Sequence, residues 1–345
     1  MKTLKPGAKI HEELPALRPV VTAQMNPRAW QLLHLLSDGD FHSGEDLARE
    51  LGVSRATVFN DLTSASESGV QLQRIRGRGY RLHGGWQPYD RKEIERFLGS
   101  AAPRFALEIA HQIASSNTEL LRRPELISGT VLAVELQTAG RGRLGRPWHS
   151  GLNNALTFSL LWRFDCGLNA LSGLSLAVGV AVMRALKRFD AKGAGLKWPN
   201  DIVAPHGKLG GVLIEAQGDM YGPSIVVIGI GFNCSLPARI DELINQPAAA
   251  LDQICAKSPG RNELLAALLC ELALVLDEFS RNGFAALKEQ WEEHHAHRDA
   301  QVFLQMPDGT QVSGIARGVS DSGELRLETE QGTRQYHVGE VGLRS

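Results

Sequence analysis

The residues best suited to chemistry lie in one stretch, Gln137–Trp148, which reads QTAGRGRLGRPW. Three arginines and three glycines occupy six of the seven positions from 140 to 146. Arginine presents a planar fork of donors that matches phosphate and carboxylate oxygens, and glycine lets a backbone approach a ligand closely. The stretch therefore predicts a loop that grips a polyphosphate.

The same loop formally matches the dinucleotide-binding pattern G-x-G-x-x-G from Gly140 to Gly145. That pattern needs a helix to open at the glycines, so that its N-terminus meets the pyrophosphate. Here Pro147 follows, then a strand-like run at 154–161, and no Gly-Lys-Ser/Thr of a P-loop follows. An apolar run at 130–136 precedes the loop and indicates a buried strand. The open alternatives are an anion-binding loop between two strands and a solvated basic hairpin.

Four other segments accompany this loop in a fixed order. They are SSN at 115–117, KWPND at 197–201, KLGGVLIE at 208–215 and GIGFN at 229–233. Together with the arginine loop they closely resemble the biotin protein ligases. The loop sequence GRGRLGRPW resembles the biotin enzymes more than the lipoate ligases, which share their fold.

The resemblance implies the site residues and the substrates. The implied catalytic residues are Lys208, Arg143 and Arg141. The implied biotin contacts are Ser115, Ser116, Asn117, Gln137, Gly140, Arg141, Gly142, Arg143, Lys208 and Gly211, and the implied adenylate contacts are Arg143, Trp148, Asn200, Lys208 and Asn233. The substrates are biotin and ATP, and Mg²⁺ accompanies ATP with unassigned ligands. By residue type alone, Lys208 is also consistent with a solvated strand-edge lysine, and Ser115 and Ser116 with helix caps.

An N-terminal domain at 26–86 has the pattern of a winged helix-turn-helix. Ser43 to Asp46 has the form of a capping box, and Ser54 can cap a second helix that runs to about residue 68. Two short strands then surround the basic tip Arg76-Gly77-Arg78-Gly79. The segments at 41–45 and 51–55 resemble the DNA-binding domain of the bifunctional biotin ligase–repressors.

Arginines outnumber acidic residues between 55 and 81, which favours contacts with phosphates. The predicted DNA contacts are Ser54, Arg55, Thr57, Asn60, Arg76 and Arg78. The alternative for this domain is a winged helix that binds protein.

The rest of the chain predicts an α+β fold with two further domains. A catalytic domain at 90–297 has a mixed sheet, with strands near 130–136, 154–161, 195–198, 202–204, 209–216 and 224–232 and helices at 90–98, 116–121, 168–189, 261–280 and 283–295. Short strands with turn signals about every ten residues predict a small barrel at 298–345, which resembles the SH3-like end of these ligases.

Composition sets limits on this interpretation. The chain has 345 residues, 43% of them hydrophobic, and a net charge near −1, so any DNA-binding surface must be a local patch. Four cysteines without CxxC spacing indicate free thiols in the cytoplasm. No apolar run predicts a membrane span or signal peptide, and residues 1–25 read as a disordered extension. The histidines at 294, 295 and 297 lack metal-site spacing, so we expect a solvated helix face.

The resemblance implies a two-step reaction. Biotin and ATP form biotinyl-5′-AMP, and a lysine of the biotin carboxyl carrier protein of acetyl-CoA carboxylase then takes the biotin. We expect the adenylate to favour a homodimer that represses transcription at a palindromic operator. The alternatives are a ligase with a vestigial winged helix and a non-catalytic biotin sensor.

Overall fold

The structure is a computed structural model, and it describes residues 24–149, 151–236 and 247–343. All but the last two residues of the predicted extension at 1–25 lie outside these ranges. The chain divides into two compact units, Met1–Pro88 with Gly151–Asn153 and Tyr89–Ser150 with Asn154–Ser345. Each helix within the described ranges is too short or too polar to cross a bilayer.

In the part of the first unit that the structure describes, from residue 24 onward, there are three helices and a two-stranded hairpin. They are α1 (Pro27–Leu35), α2 (Gly44–Glu50), α3 (Arg55–Glu67), β1 (Leu72–Ile75) and β2 (Gly79–Leu82). Ser43 and Ser54 cap α2 and α3, because each hydroxyl accepts a backbone N–H three residues on. The predicted winged helix-turn-helix is confirmed.

The hairpin is tied to the segment before α2. His42 and Tyr80 exchange two backbone hydrogen bonds of 2.8 and 2.9 Å, so this segment pairs with β2 at one isolated bridge. Gly79 lies at φ +104°, and a Cβ there would stand 1.9 Å from the His42 carbonyl oxygen. Only glycine fits this close approach.

The second unit is built on a seven-stranded mixed sheet. Its strands are β3 (Ala106–Ile113), β4 (Thr130–Gln137), β5 (Ala155–Phe164), β6 (Gly195–Lys197), β7 (Asp201–Ala204), β8 (Gly207–Gly218) and β9 (Ser224–Asn233). Their order is β3-β4-β5-β9-β8-β7-β6, and only the β3–β4 pair is parallel. Strand β3 was missing from the sequence prediction.

Within the described residues, five helices accompany the sheet. They are α4 (Arg91–Leu98), α5 (Ser116–Leu121), α6 (Leu174–Lys187), α7 (Arg261–Asn282) and α8 (Lys288–Glu293). The prediction that one helix spans 168–189 is wrong at its start, because Gly173 adopts φ +79° and separates a short 3₁₀ turn from α6. Another 3₁₀ turn, Phe284–Leu287, likewise precedes α8.

The C-terminal part of this unit is a five-stranded antiparallel sheet. Its strands are β10 (Gln301–Gln305), β11 (Gln311–Val319), β12 (Leu325–Thr329), β13 (Gly332–Tyr336) and β14 (Glu340–Leu343). The order β13-β12-β11-β10-β14 brings the last strand beside the first. This arrangement agrees with the predicted small β module.

The histidine segment differs from its prediction. Helix α8 ends at Glu293, and His295 is only 8% exposed and stacks on Trp291 with ring centroids 4.7 Å apart. Leu196 of β6 donates its N–H to the His294 carbonyl at 2.7 Å, so this segment packs along the sheet. The predicted solvated face is therefore wrong. The described residues contain no cluster of three potential metal ligands.

Candidate active site

One cavity of about 680 Å³ collects most of the predicted site residues of the second unit. Those that line it are Ser115, Ser116, Asn117, Gln137, Arg141, Gly142, Arg143, Trp148, Asn200, Lys208 and Gly211. Its volume suits a ligand of small-molecule size. Gly140 and Asn233 are the predicted contacts that do not line it.

The arginine loop closes on itself by backbone hydrogen bonds. Gly142 donates to Arg146 and Trp148 donates to Gly140, each at 2.8 Å. A Cβ at Gly140 would lie 2.7 Å from the Trp148 carbonyl oxygen, so this glycine lets the two ends of the loop meet. Gly140 therefore shapes the loop from outside the cavity.

One end of the cavity carries neutral hydrogen-bonding groups. The Ser115 hydroxyl caps α5 by accepting from the Thr118 N–H at 3.5 Å, so the cap is Ser115 and not Ser116. Ser116 donates its backbone N–H to Gln137 Oε1 at 2.7 Å, and its hydroxyl oxygen lies 3.1 Å from the same atom. The segment that begins α5 is thereby joined to the end of β4.

Ser159 supports this end of the cavity from behind the lining residues Ser116 and Asn117, and the sequence analysis missed it. Its hydroxyl lies 2.5 Å from Asn117 Oδ1 and 2.6 Å from Ser116 Oγ, and the residue is fully buried on β5. The available signal was a serine inside an otherwise apolar strand. A Cβ at Gly229 would lie 2.3 Å from Asn117 Oδ1, so this neighbour on β9 must be glycine.

The other end of the cavity carries the cations. Lys208 lies near the start of β8, an interior strand, and its Nζ is 2.6 Å from Asp201 Oδ1. Arg143 donates to Asn200 Oδ1 at 3.4 Å, while Asn200 donates to the Val212 carbonyl at 2.8 Å. These side chains can present several positive charges to an anionic ligand.

The two loop arginines of the predicted catalytic set have different surroundings. Burial lowers the pKa of the Arg143 guanidinium from its usual range, and the nearby carboxylates of Glu340 and Asp201 oppose that shift. Arg143 thus remains a cation in a partly desolvated position, where its field is less screened. Arg141 is more exposed and donates to Thr118 Oγ1 at 2.8 Å and Glu215 Oε1 at 3.1 Å.

The Trp148 indole packs against Gly231 of β9 at the cavity wall. A Cβ on Gly231 would lie 2.4 Å from Trp148 Cε2 and 2.8 Å from its Nε1. The indole N–H is buried and finds no hydrogen-bond partner among the residues that the structure describes. A buried donor of this kind is costly unless a ligand or water accepts from it.

Asn233 is placed for a structural role. Its amide donates to the carbonyls of Lys208 and Ala249, at 3.2 and 3.0 Å, and is buried. These bonds fix the backbone that carries Lys208 and do not point the amide at the cavity. The geometry therefore does not support the predicted adenylate contact at Asn233.

Several residues that the sequence analysis did not select also line or support the cavity. Asp201 is the last residue of the KWPND segment, whereas Phe303, Gln305 and Glu340 come from the C-terminal strands. Glu340 forms an ion pair with Arg146 of the loop. No local sequence signal connects positions this far apart in the chain.

The predicted DNA contacts lie in the first unit. Arg55, Asn60 and Arg76 are exposed, whereas the Ser54 and Thr57 hydroxyls bond each other at 2.9 Å at the start of α3. The Arg78 guanidinium lies 4.3 Å from the ring centre of Phe41. Stacking of this kind limits the guanidinium to fewer orientations.

Three family models match successive parts of the chain. The HTH domain matches residues 28–81, the biotin/lipoate A/B protein ligase family matches 109–233, and the biotin protein ligase C terminal domain matches 301–344. The three matches follow the order of the helices and strands described above.

Curated proteins with similar sequences include two bifunctional ligase/repressors named BirA. Those of Salmonella typhimurium and Escherichia coli are each 34% identical to this chain over 91% of its length and 97% of theirs. A biotin–[acetyl-CoA-carboxylase] ligase of Mycobacterium tuberculosis is 32% identical over 74% of this chain and 95% of its own.

Among solved structures, the biotin protein ligase of Aquifex aeolicus in complex with biotin and ATP is similar with a TM-score of 0.58 and 30% identity. The similarity covers 69% of this chain and 98% of the Aquifex chain. The predicted family resemblance is confirmed by these similarities. The chain belongs to the biotin protein ligase family and has the domain content of its bifunctional ligase/repressor members.

Proposed function

We propose that this chain is an ATP-dependent biotin ligase that forms biotinyl-5′-AMP and transfers biotin to a lysine of a biotin carboxyl carrier protein. The observation that carries this proposal is a single cavity with a neutral hydrogen-bonding end and a cationic end. Such a cavity can hold an uncharged ring head and an activated carboxylate at the same time.

In the first half-reaction, a biotin carboxylate oxygen attacks the α-phosphorus of ATP. The bond from that phosphorus to the bridging oxygen breaks, and pyrophosphate leaves. Both reactants are anions and repel each other, so Arg141, Arg143 and Lys208 hold them in line and stabilise the developing charge. Mg²⁺ would arrive with ATP and neutralise part of the phosphate charge.

In the second half-reaction, the neutral amine of the carrier lysine attacks the acyl carbon of the mixed anhydride. The bond from the acyl carbon to the AMP oxygen breaks, AMP leaves, and the new amide nitrogen loses a proton. No protein nucleophile is required. The loop that contains Gly142 and ends at Trp148 lies along the cavity and would keep water from the adenylate.

Within this proposal, the neutral end of the cavity binds the biotin ring head. Ser115, Ser116, Asn117 and Gln137 supply its polar groups, and Gly211 leaves room beside Lys208, since a Cβ there would be 3.3 Å from Lys208 Cε. Few but well-placed polar groups are typical of such sites.

We also propose that the protein represses transcription in the cytoplasm, where its four free thiols remain reduced. In this proposal residues 26–86 bind operator DNA, residues 90–297 catalyse ligation, and residues 298–345 help to engage ATP and the carrier. The adenylate favours a homodimer, which places two winged helices on a palindromic site. A monomer in sedimentation experiments with saturating biotin and Mg-ATP would contradict the dimer.

The ligase proposal is tested by transfer of labelled biotin to a purified carrier domain with Mg-ATP. Wild type should label the carrier, whereas Lys208→Ala and Arg143→Ala should lose most of this activity. Lys192→Ala is the matched control, because that lysine is 80% exposed and away from the cavity. Biotin binding without transfer would indicate a sensor, and labelling by lipoate in place of biotin would indicate a lipoate ligase.

A further inference from the structure

Glu215 of β8 contacts both the α5 segment and the arginine loop without lining the cavity. Its Oε2 accepts from Asn117 Nδ2 at 2.9 Å, and its Oε1 accepts from Arg141 at 3.1 Å. We propose that Glu215 is a positioning residue, which fixes the amide orientation of Asn117 and thereby the hydrogen-bonding pattern offered to biotin. This inference rests on the proposed biotin ligase function.

The chemistry of the carboxylate determines how the Asn117 amide is turned. An ionised carboxylate only accepts hydrogen bonds, so the NH₂ group of Asn117 must face Glu215. The second N–H of that group points to the Leu213 carbonyl, at 3.3 Å. The amide oxygen is therefore directed at the Ser159 hydroxyl, 2.5 Å away.

The orientation of the Asn117 amide constrains the directions of the other hydrogen bonds at the neutral end of the cavity. Ser159 Oγ lies 2.6 Å from Ser116 Oγ, which in turn lies 3.1 Å from Gln137 Oε1. Each hydroxyl has one proton to donate, so the direction of one bond constrains the next. Through Asn117, the charge on Glu215 sets which groups remain as donors and acceptors for a ligand.

The same carboxylate ties the loop to α5. Arg141 donates to Glu215 and also to Thr118, the residue that follows Asn117. The side chain of Glu215 is 26% exposed, and an exposed ion pair alone contributes little. Asn117 is only 3% exposed, however, so its amide requires an acceptor once it is buried. The bond to Asn117 is therefore the one that matters most.

The test compares wild type with Glu215→Gln. A glutamine amide has only one oxygen to accept from two donors, and its own NH₂ group can meet Asn117 and allow that amide to flip. We expect the Kd for biotin to rise about tenfold, as for loss of one hydrogen bond to a charged group, with the KM for ATP and the Tm nearly unchanged. Glu328→Gln is the matched control, because Glu328 also accepts from an arginine, but that arginine, Arg317, does not line the cavity.

Three results would overturn the inference. A biotin Kd for Glu215→Gln within about twofold of wild type would show that the charge does not orient Asn117. Equal rises in the biotin Kd and the ATP KM, with a lower Tm, would indicate a general structural role. A wild-type protein that binds no biotin would overturn the proposed function and this inference together, whereas the first two outcomes leave the ligase intact.

Discussion

Replacement of Gly231 by alanine tests whether Trp148 forms part of the ATP site. The new Cβ would stand 2.4 Å from Trp148 Cε2 and 2.6 Å from Cζ2. Carbon atoms pack at about 3.5–4.0 Å, so the indole must retreat by about 1 Å. Gly231 has no left-handed φ, and alanine therefore introduces no backbone strain at this position.

The effect on ATP follows from the loss of a stacking partner. Contact between a base and an aromatic side chain contributes about 1–3 kcal/mol, and every 1.4 kcal/mol corresponds to about a tenfold change in affinity. We therefore expect the KM for ATP to rise about five- to hundredfold in Gly231→Ala. The Kd for biotin should change little, since the Ser116 and Asn117 end of the cavity is formed by other contacts.

The assay is pyrophosphate release at varied ATP in wild type, Gly231→Ala, Trp148→Ala and the double variant. If the methyl group acts by displacing the indole, Gly231→Ala should have almost no further effect once Trp148 is truncated. An ATP KM unchanged by Gly231→Ala would refute the adenine role of Trp148. A full effect of Gly231→Ala in the Trp148→Ala background would refute the displacement of the indole, since the methyl group would then act on the ligand directly.

Three further predictions concern stability and DNA binding. Glu135→Gln removes the carboxylate that accepts from the buried Arg261 guanidinium at 2.7 Å, and it should lower the free energy of unfolding by about 3–5 kcal/mol in urea titrations. Burial lowers the pKa of His295 to about 4, so the unfolded chain takes up the proton first, and stability should fall as pH drops from about 6.5 towards 4. This group accounts for about 2 kcal/mol lost between pH 7 and pH 5, a loss that should be absent in His295→Gln. Arg76→Ala should reduce the slope of log K against log salt for duplex DNA by about 0.9, and an unchanged slope would mean that this wing residue meets no phosphate.

The parts of the fold that local sequence determines were predicted well. The turn at Gly52, the serine caps of α2 and α3 and the alternation around the wing depend on neighbours within a few residues. Strand β3 was missed because its apolar pattern is interrupted by Glu108, His111 and Gln112, and because it is specified by parallel pairing with the distant β4.

The same distinction applies to the site. Lys208 and the loop arginines could be selected from the residue types of their own motifs. Glu340 could not, because its approach to Arg146 depends on how the last strand lies beside the cavity. Asn233 was selected by its motif, but its donors bond backbone carbonyls that only the folded sheet brings near.

The most direct test of the proposed chemistry is biotin-dependent exchange of labelled pyrophosphate into ATP, measured without any carrier protein. Exchange requires that the enzyme form biotinyl-5′-AMP reversibly in its own cavity. Our proposal predicts exchange in wild type that needs biotin and Mg²⁺ and is nearly abolished in Lys208→Ala. Absence of exchange in a wild-type protein that binds both biotin and ATP would contradict it.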